Sequence, residues 1–121
     1  MHFDEMDRYL LSKTAATYDY PFDEKTRVYR VGNKMFALTS ESSPLKVNLK
    51  CDPIYALELR SLYEGITGGY HMNKKHWNTV MAEGADVDDE TLRELIDHSY
   101  ELVYHSLTKK QKELLLRKET K

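Results

Sequence analysis

The chain has 121 residues, with 18 bases against 20 acids, a length for one domain that buries roughly two-thirds of its unfolded surface and a balance far from that of a protein that coats nucleic acid. No apolar run approaches the ~18 residues of a membrane span, the opening MHFDEMDRYL is unlike a signal peptide, and the single Cys51 cannot form an internal disulfide. The expectation is one cytoplasmic domain over residues 1–121, with no membrane association.

The net charge of −2 hides a division. Residues 1–24 carry two bases and six acids, residues 25–80 nine and four, and residues 81–121 seven and ten, which predicts a mildly positive face on an acidic body. In chain order, Phe3, Met6, Leu10 and Leu11 recur at helical spacing, and Pro21 with the residues after it breaks the pattern. Two strand signals follow, TRVYRVG and KMFALTS, separated by Gly32-Asn33, a two-residue hairpin signature. In LKVNLKC the alternation places Leu45, Val47, Leu49 and Cys51 on one face and Lys46, Asn48 and Lys50 on the other.

Asp52-Pro53, an N-cap residue with proline at the first helical position, opens a helix through IYALELRSLYE. That helix is expected to bury Leu57, Leu62 and their neighbours. ITGGYHM reads as a weaker strand, bulged or bent at Gly68-Gly69, and Asn73-Lys74-Lys75 connect it to the strand HWNTVMA. Asp88 is placed to cap the last long helix, whose buried stripe is Leu92, Leu95, Ile96, Ser99, Leu102 and Val103. From about residue 107 a basic tail adds a short amphipathic helix that frays. The order α-β-β-β-α-β-β-α-α predicts an α+β fold, an antiparallel sheet with helices packed on one face.

The segments DYPF, VYRVGNKMFAL, LKCDP, GYHMNKKHWNTV and ELIDHSYELV resemble, in that order and at matching intervals, the MmcQ/YjbR family of small bacterial proteins. The resemblance covers about residues 8 to 110. It implies a fold similar to the CyaY/frataxin α-β sandwich and DNA binding through a "double wing" of two β-hairpins. Gly68 stands where the family often has proline, so the approach to the second wing is looser here. Asp4, Glu5 and Asp7 only faintly echo the acidic first helix of the iron-binding relatives, and no iron chemistry is carried over.

YHMNKKHWNTV, residues 70 to 80, concentrates the unusual chemistry. With Lys74 and Lys75 at a hairpin tip, two ammonium groups can reach phosphate oxygens as point charges. The amides of Asn73 and Asn78 can bond phosphate or base edges, and Trp77 either stacks or fills the core, the core being the expectation for a lone tryptophan. Lys34 stands at the first hairpin's turn, with Arg27 and Arg30 along its strand. Lys46 and Lys50 line the wet face of the third strand. The candidate nucleic-acid-binding set is therefore Lys34, Lys46, Lys50, Asn73, Lys74, Lys75 and Asn78. Set against it, lysine-rich tips also serve solubility and discourage edge pairing.

His71 and His76, with His98 or Cys51 brought in by the fold, lack the paired tight spacing of a zinc site, so no metal and no cofactor is expected. Asp97, His98, Ser99 and Tyr100 are consecutive helical residues that point in different directions and cannot act on one another, and no catalytic motif is present. Cys51 reads as a buried, inert thiol, and most of the nine tyrosines read as core-edge residues, with a stacking surface for bases as the alternative. The expected function is a monomeric, non-enzymatic module that binds DNA weakly through its backbone. The alternative is a protein-interaction module that uses the same polar face or the basic tail.

Overall fold

The computed structural model describes residues 1–119. They form helix α1 (Phe3–Leu11), strands β1 (Thr17–Asp19), β2 (Arg27–Val31), β3 (Lys34–Thr39) and β4 (Lys46–Lys50), helix α2 (Pro53–Leu62), strands β5 (Ile66–Gly68) and β6 (Trp77–Met81), and helices α3 (Asp89–Ser106) and α4 (Lys109–Glu119). The strands make one antiparallel sheet in the order β1-β2-β3-β4-β6-β5. Met6 and Leu10 of α1, Ala56 and Leu59 of α2, and Leu92, Leu95, Ile96 and Val103 of α3 share one core with Tyr29, Val47, Leu49 and Val80 of the sheet. The helices therefore cover one face, in the α+β arrangement that the element order predicts. No helix among the described residues is long and apolar enough to cross a membrane.

Local chemistry accounts for most boundaries. The Asp52 carboxylate accepts the amides of Ile54 and Tyr55, with Pro53 behind it in the first turn of α2, and Asp88 accepts the amide of Thr91 at the start of α3, so both helices begin on a satisfied N-cap. Gly32 and Asn33 both have positive φ, as a two-residue hairpin turn requires. A Cβ on Gly32 would also stand 2.8 Å from the Leu107 side chain, so glycine answers to the turn and to the close approach of the α3 C-terminus.

A β-bulge interrupts the β2–β3 pair between Tyr29 and Arg30, leaving Phe36 opposite no residue. Its carbonyl receives the Ser99 hydroxyl, and the Lys50 amide donates to the same hydroxyl oxygen at 2.9 Å. One fully buried serine of α3 thus replaces a rung between β3 and β4, which explains a polar residue in the middle of an apolar stripe.

Leu102, expected in the buried stripe of α3, is only half-buried and lies outside it, and two larger features differ from expectation. Strand β1 adds a short edge to the sheet, because Arg30 pairs with Asp19 at 2.9 Å and the Arg27 guanidinium sits 3.9 Å from the Tyr18 ring centroid. Its three residues are exposed, so no alternation marks it. Helix α2 does not bury Leu57 and Leu62, which are 63% and 72% exposed, along with Ile54 at 72%. Ala56 and Leu59 face inward instead. The small Ala56 lets the helix approach β6 until its carbonyl accepts the Asn78 amide, and the Arg60 guanidinium holds the Asn78 carbonyl at 2.6 Å. That polar contact sets the rotation of the helix.

Candidate nucleic-acid interface

Antiparallel pairing gathers several loops at one end of the sheet. Lys34 opens β3 beside the Gly32-Asn33 turn, Lys50 closes β4 opposite Trp77, and Gly68 closes β5 opposite Asn78. The 69–76 loop therefore lies at the same end as the first hairpin turn. The α3 C-terminus arrives there too, since Leu107 touches Gly32, and Lys109, Lys110 and Lys112 follow immediately in α4. Lys46 pairs with Met81 and stands at the opposite end. Four of the five sequence-predicted lysines thus stand at one end of the sheet, Lys34 turned toward α3 and Lys50 toward the helix-free face, and the fifth stands at the other end.

The opposite end collects acids. Glu83 accepts the Leu45 amide at 2.8 Å, Asp86 accepts the amides of Gly65 and Glu64, and Asp88 caps α3 ahead of Asp89 and Glu90. Those backbone bonds hold the Asp86 and Asp88 carboxyls below their ordinary pKa, since each stabilises the charged form.

Each basic tip residue has a definite seat. The exposed Lys34 ammonium lies 3.3 Å from the carbonyl and hydroxyl oxygens of Ser106, where a cation suits the α3 C-terminus. The Lys74 stem lies over Gly68, 3.2 Å from where a Cβ would stand. Lys75 is exposed and its amide is held by the Asn73 side chain at 2.9 Å. Asn73 is thus a turn-forming residue, its carbonyl receiving the amides of His76 and Trp77. Arg60 reaches from α2 to the Lys74 and Trp77 carbonyls and clamps the loop from below. Nothing in the linear sequence distinguishes Arg60 from any solvated helical arginine.

Asn78 has no such access. It is 2% exposed, and both ends of its amide are taken by Arg60 and Ala56, so it cannot reach a base edge. Strand parity carries the signal: residues 78 and 80 share a face, and Val80 belongs to the helix-side core. Trp77 points the other way and is 8% exposed, buried with Val28 and Leu38 beneath Met35 and Met72 on the helix-free face. Glycine is needed beside it, because a Cβ on Gly69 would lie 2.8 Å from the Trp77 Cβ. Arg27 is also occupied, ion-paired with Asp7, whose carboxylate receives the Tyr29 hydroxyl at 2.6 Å. Burial, and then Asp7, push the Tyr29 pKa up.

The other candidates separate. Asp97 receives Lys13 and the Tyr9 hydroxyl, His98 accepts the Asp52 amide at 3.2 Å, Ser99 joins β3 to β4, and Tyr100 donates to the Thr14 carbonyl. Cys51 is buried, and burial, with a smaller effect from Asp52, pushes its thiol up to about 11. Among the described residues, no three His, Cys, Asp or Glu side chains converge as metal ligands.

A sheet covered by helices on one side and bare on the other, with its loops gathered at one basic end, defines an α-β sandwich with an accessible polar surface. Comparison with known proteins gives it a family. The chain belongs to the YjbR family, whose model matches residues 11–102. It is 40% identical over 92 residues to the uncharacterized protein YbdF of Escherichia coli O157:H7, covering 75% of each chain. It is 29% identical over 117 residues to the uncharacterized protein YjbR of the same organism, covering 96% of this chain and 98% of that one. The crystal structure of the Deinococcus radiodurans protein DR2400, a DUF419 domain, matches with a TM-score of 0.87 at 37% identity over 94% of this chain and 87% of that one.

Proposed function

We propose that this protein is a small, monomeric, non-enzymatic binding module that contacts the phosphate backbone of nucleic acid through the basic end of its sheet. The segregation of charge carries this reading. Lys34, Lys50, Lys74 and Lys75 stand at the end of the sheet where α4 begins, with Asp52 the acid beside them at the α2 N-cap, while Glu83, Asp86, Asp88, Asp89 and Glu90 stand at the other end. A molecule with that distribution turns its basic end toward a polyanion before contact. Lysine ammonium groups then meet phosphate oxygens as point charges, without geometric demands on the bases. With Asn78 buried and Asn73 engaged in its own turn, neither asparagine reads a sequence there, and the binding is backbone-directed.

The test is a mobility-shift titration of unrelated duplexes over a range of salt. Four engaged lysines give equal affinities across sequences and a slope of log affinity against log salt of roughly −3 to −4. Failure of every duplex to shift at low salt removes the reading.

The exposed row Ile54, Leu57 and Leu62 on α2 favours a second reading, in which that helix docks an apolar surface of a protein partner. A photoreactive cross-linker placed at Ser61, beside the row, captures a protein in cells under this reading and captures none if it is wrong.

A further inference from the structure

The helix-free face holds a groove of about 760 Å³, within the roughly 300–1,000 Å³ typical of small-molecule sites. Its floor is a row across four strands, fixed by register: Leu38 beside Asn48, Asn48 beside Thr79, and Thr79 beside Thr67. One wall is Phe22, from the loop between β1 and β2. The other is Tyr70 with His71, from the 69–76 loop. Lys46, the lysine that the basic end lacks, also lines it.

The Tyr70–His71 wall is held in position from beneath. The Tyr70 amide donates to the Thr79 hydroxyl oxygen at 3.0 Å, and that hydroxyl donates to the Asn48 side-chain carbonyl. The two rings lie 4.0 Å apart between centroids, and His71 takes φ +58. A left-handed conformation in a non-glycine residue persists where its surroundings impose it, and such residues gather at ligand sites. The wall stays in water all the same: Tyr70 is 70% exposed, and Phe22, at the far side of the floor, 62%. An exposed ring held at the edge of a polar floor is a surface on which one face of a planar ligand can stack.

The polar groups narrow the choice. Among the described residues no carboxylate lies within ion-pairing distance of Lys46, and the Asn48 amide nitrogen donates to none of them. Asp23 is the one acid of the lining. Its oxygens are bonded by the amides of Thr26 and Lys25 and by the Thr26 hydroxyl, which hold its carboxyl charged and below the ordinary value. One ammonium and one carboxylate leave the groove near neutral, which admits a single phosphate and disfavours a chain of them.

The geometry points to a site for one nucleotide, its base stacked on the Tyr70 ring, its phosphate on Lys46 and its base edge within reach of the Asn48 amide. The site does not rest on the tip lysines Lys74 and Lys75: its Tyr70–His71 wall belongs to the same 69–76 loop, but its cation is Lys46, at the other end of the strands. A free nucleoside monophosphate and an unpaired nucleotide within a strand present the same chemistry, and the experiment separates them.

Calorimetric titration of the full chain with AMP, adenosine and ATP is the first arm; a short single-stranded oligodeoxyadenylate and its duplex are the second. Saturable AMP binding is expected, with ATP weaker. Tyr70→Ala should weaken AMP roughly tenfold or more, and Lys46→Gln should weaken AMP while leaving adenosine unchanged. Both side chains are exposed, so circular dichroism should show unaltered folds. If the physiological source is a strand, the single-stranded oligonucleotide binds more tightly than AMP and loses that binding in Tyr70→Ala. AMP binding should persist in the Lys74→Gln, Lys75→Gln variant even if that variant, or the parent, fails to shift duplex DNA. The site is overturned if AMP and the single strand both fail to saturate, or if Tyr70→Ala and Lys46→Gln leave AMP binding unaltered.

Discussion

The two faces of the sheet solve burial differently. On the helix side, residues from three helices close over Tyr29, Val47, Leu49 and Val80, and the polar intruders are bound: Ser99 by Phe36 and Lys50, Asn78 by Arg60 and Ala56, Thr39 by the Lys46 carbonyl. On the other side, among the described residues, only Val28, Leu38 and Trp77 form a buried cluster, with Met35 and Met72 as the cover. Asn48, Thr67 and Thr79 continue the same row as the floor of an open groove. A sheet face therefore needs no second layer to bury a tryptophan. Flexible methionines and a glycine-backed loop suffice, and the rest of that face stays open for a ligand.

The largest test of this contrast sets one buried ring against another. Phe36→Ala, on the helix side, should cost about 3–5 kcal/mol in denaturant melts, and Trp77→Ala about 3 kcal/mol, at the lower edge of that range because the space can refill from the loop. A costlier Trp77→Ala would make the open face the principal core, and a loss below about 1 kcal/mol would leave the indole uninvolved in stability.

Asn78→Ala comes next, at about 1–3 kcal/mol, because it strips the buried Ala56 carbonyl and the half-buried Arg60 guanidinium of their shared partner. It should also weaken the hold of Arg60 on the 69–76 loop, visible as faster proteolysis at Lys74 and Lys75. A protected loop would show that Arg60 clamps it through the backbone carbonyls alone.

Acid should loosen the helix layer. The carboxyls of Asp86 and Asp88 titrate below their ordinary value of 3.8, so the stability they contribute is complete above that value and is lost as pH falls through their lower folded-state pKa. The melting temperature should drop below about pH 4 and respond less in the Asp86→Asn variant. The smallest effect belongs to Lys74→Gln with Lys75→Gln. It should move stability by no more than about 0.5 kcal/mol while reducing the salt slope of duplex binding by about two. An unchanged slope would take the second hairpin out of the interface.

Features written in adjacent residues were legible from sequence. Gly32-Asn33 gave the hairpin, Asp52-Pro53 the start of α2, LKVNLKC the two faces of β4, and Leu92, Leu95, Ile96, Ser99 and Val103 the seam of α3, with Leu102 outside it, because turn, cap and period are local chemistry. Helix α2 was misread because its leucines are split by a distant polar contact: Leu59 goes in, while Leu57 and Leu62 go out, an orientation fixed by Asn78 on another element. Strand β1 was missed because exposed residues carry no period. At the candidate site, the hairpin signals place Lys34, Lys50, Lys74 and Lys75 at one end of the sheet, but which face each occupies is set by strand parity and the packing of α3. Asn78 could have been excluded by parity with Val80, and the α4 lysines needed the fold to bring them beside the first turn. The groove was invisible in sequence, since Phe22, Asn48 and Tyr70 lie on three separate segments.

Ser99 has a consequence for how the molecule comes apart. By bonding to Phe36 and Lys50 at once, its hydroxyl makes α3 a member of the sheet's own ladder. Lifting the helix away opens a rung between β3 and β4, and parting those strands strips the helix of its buried polar anchor. The two layers therefore have no low-energy route to separate one at a time. The backbone proton of Lys50, close to the basic surface and half-exposed at its side chain, should exchange with deuterium only when the whole domain unfolds.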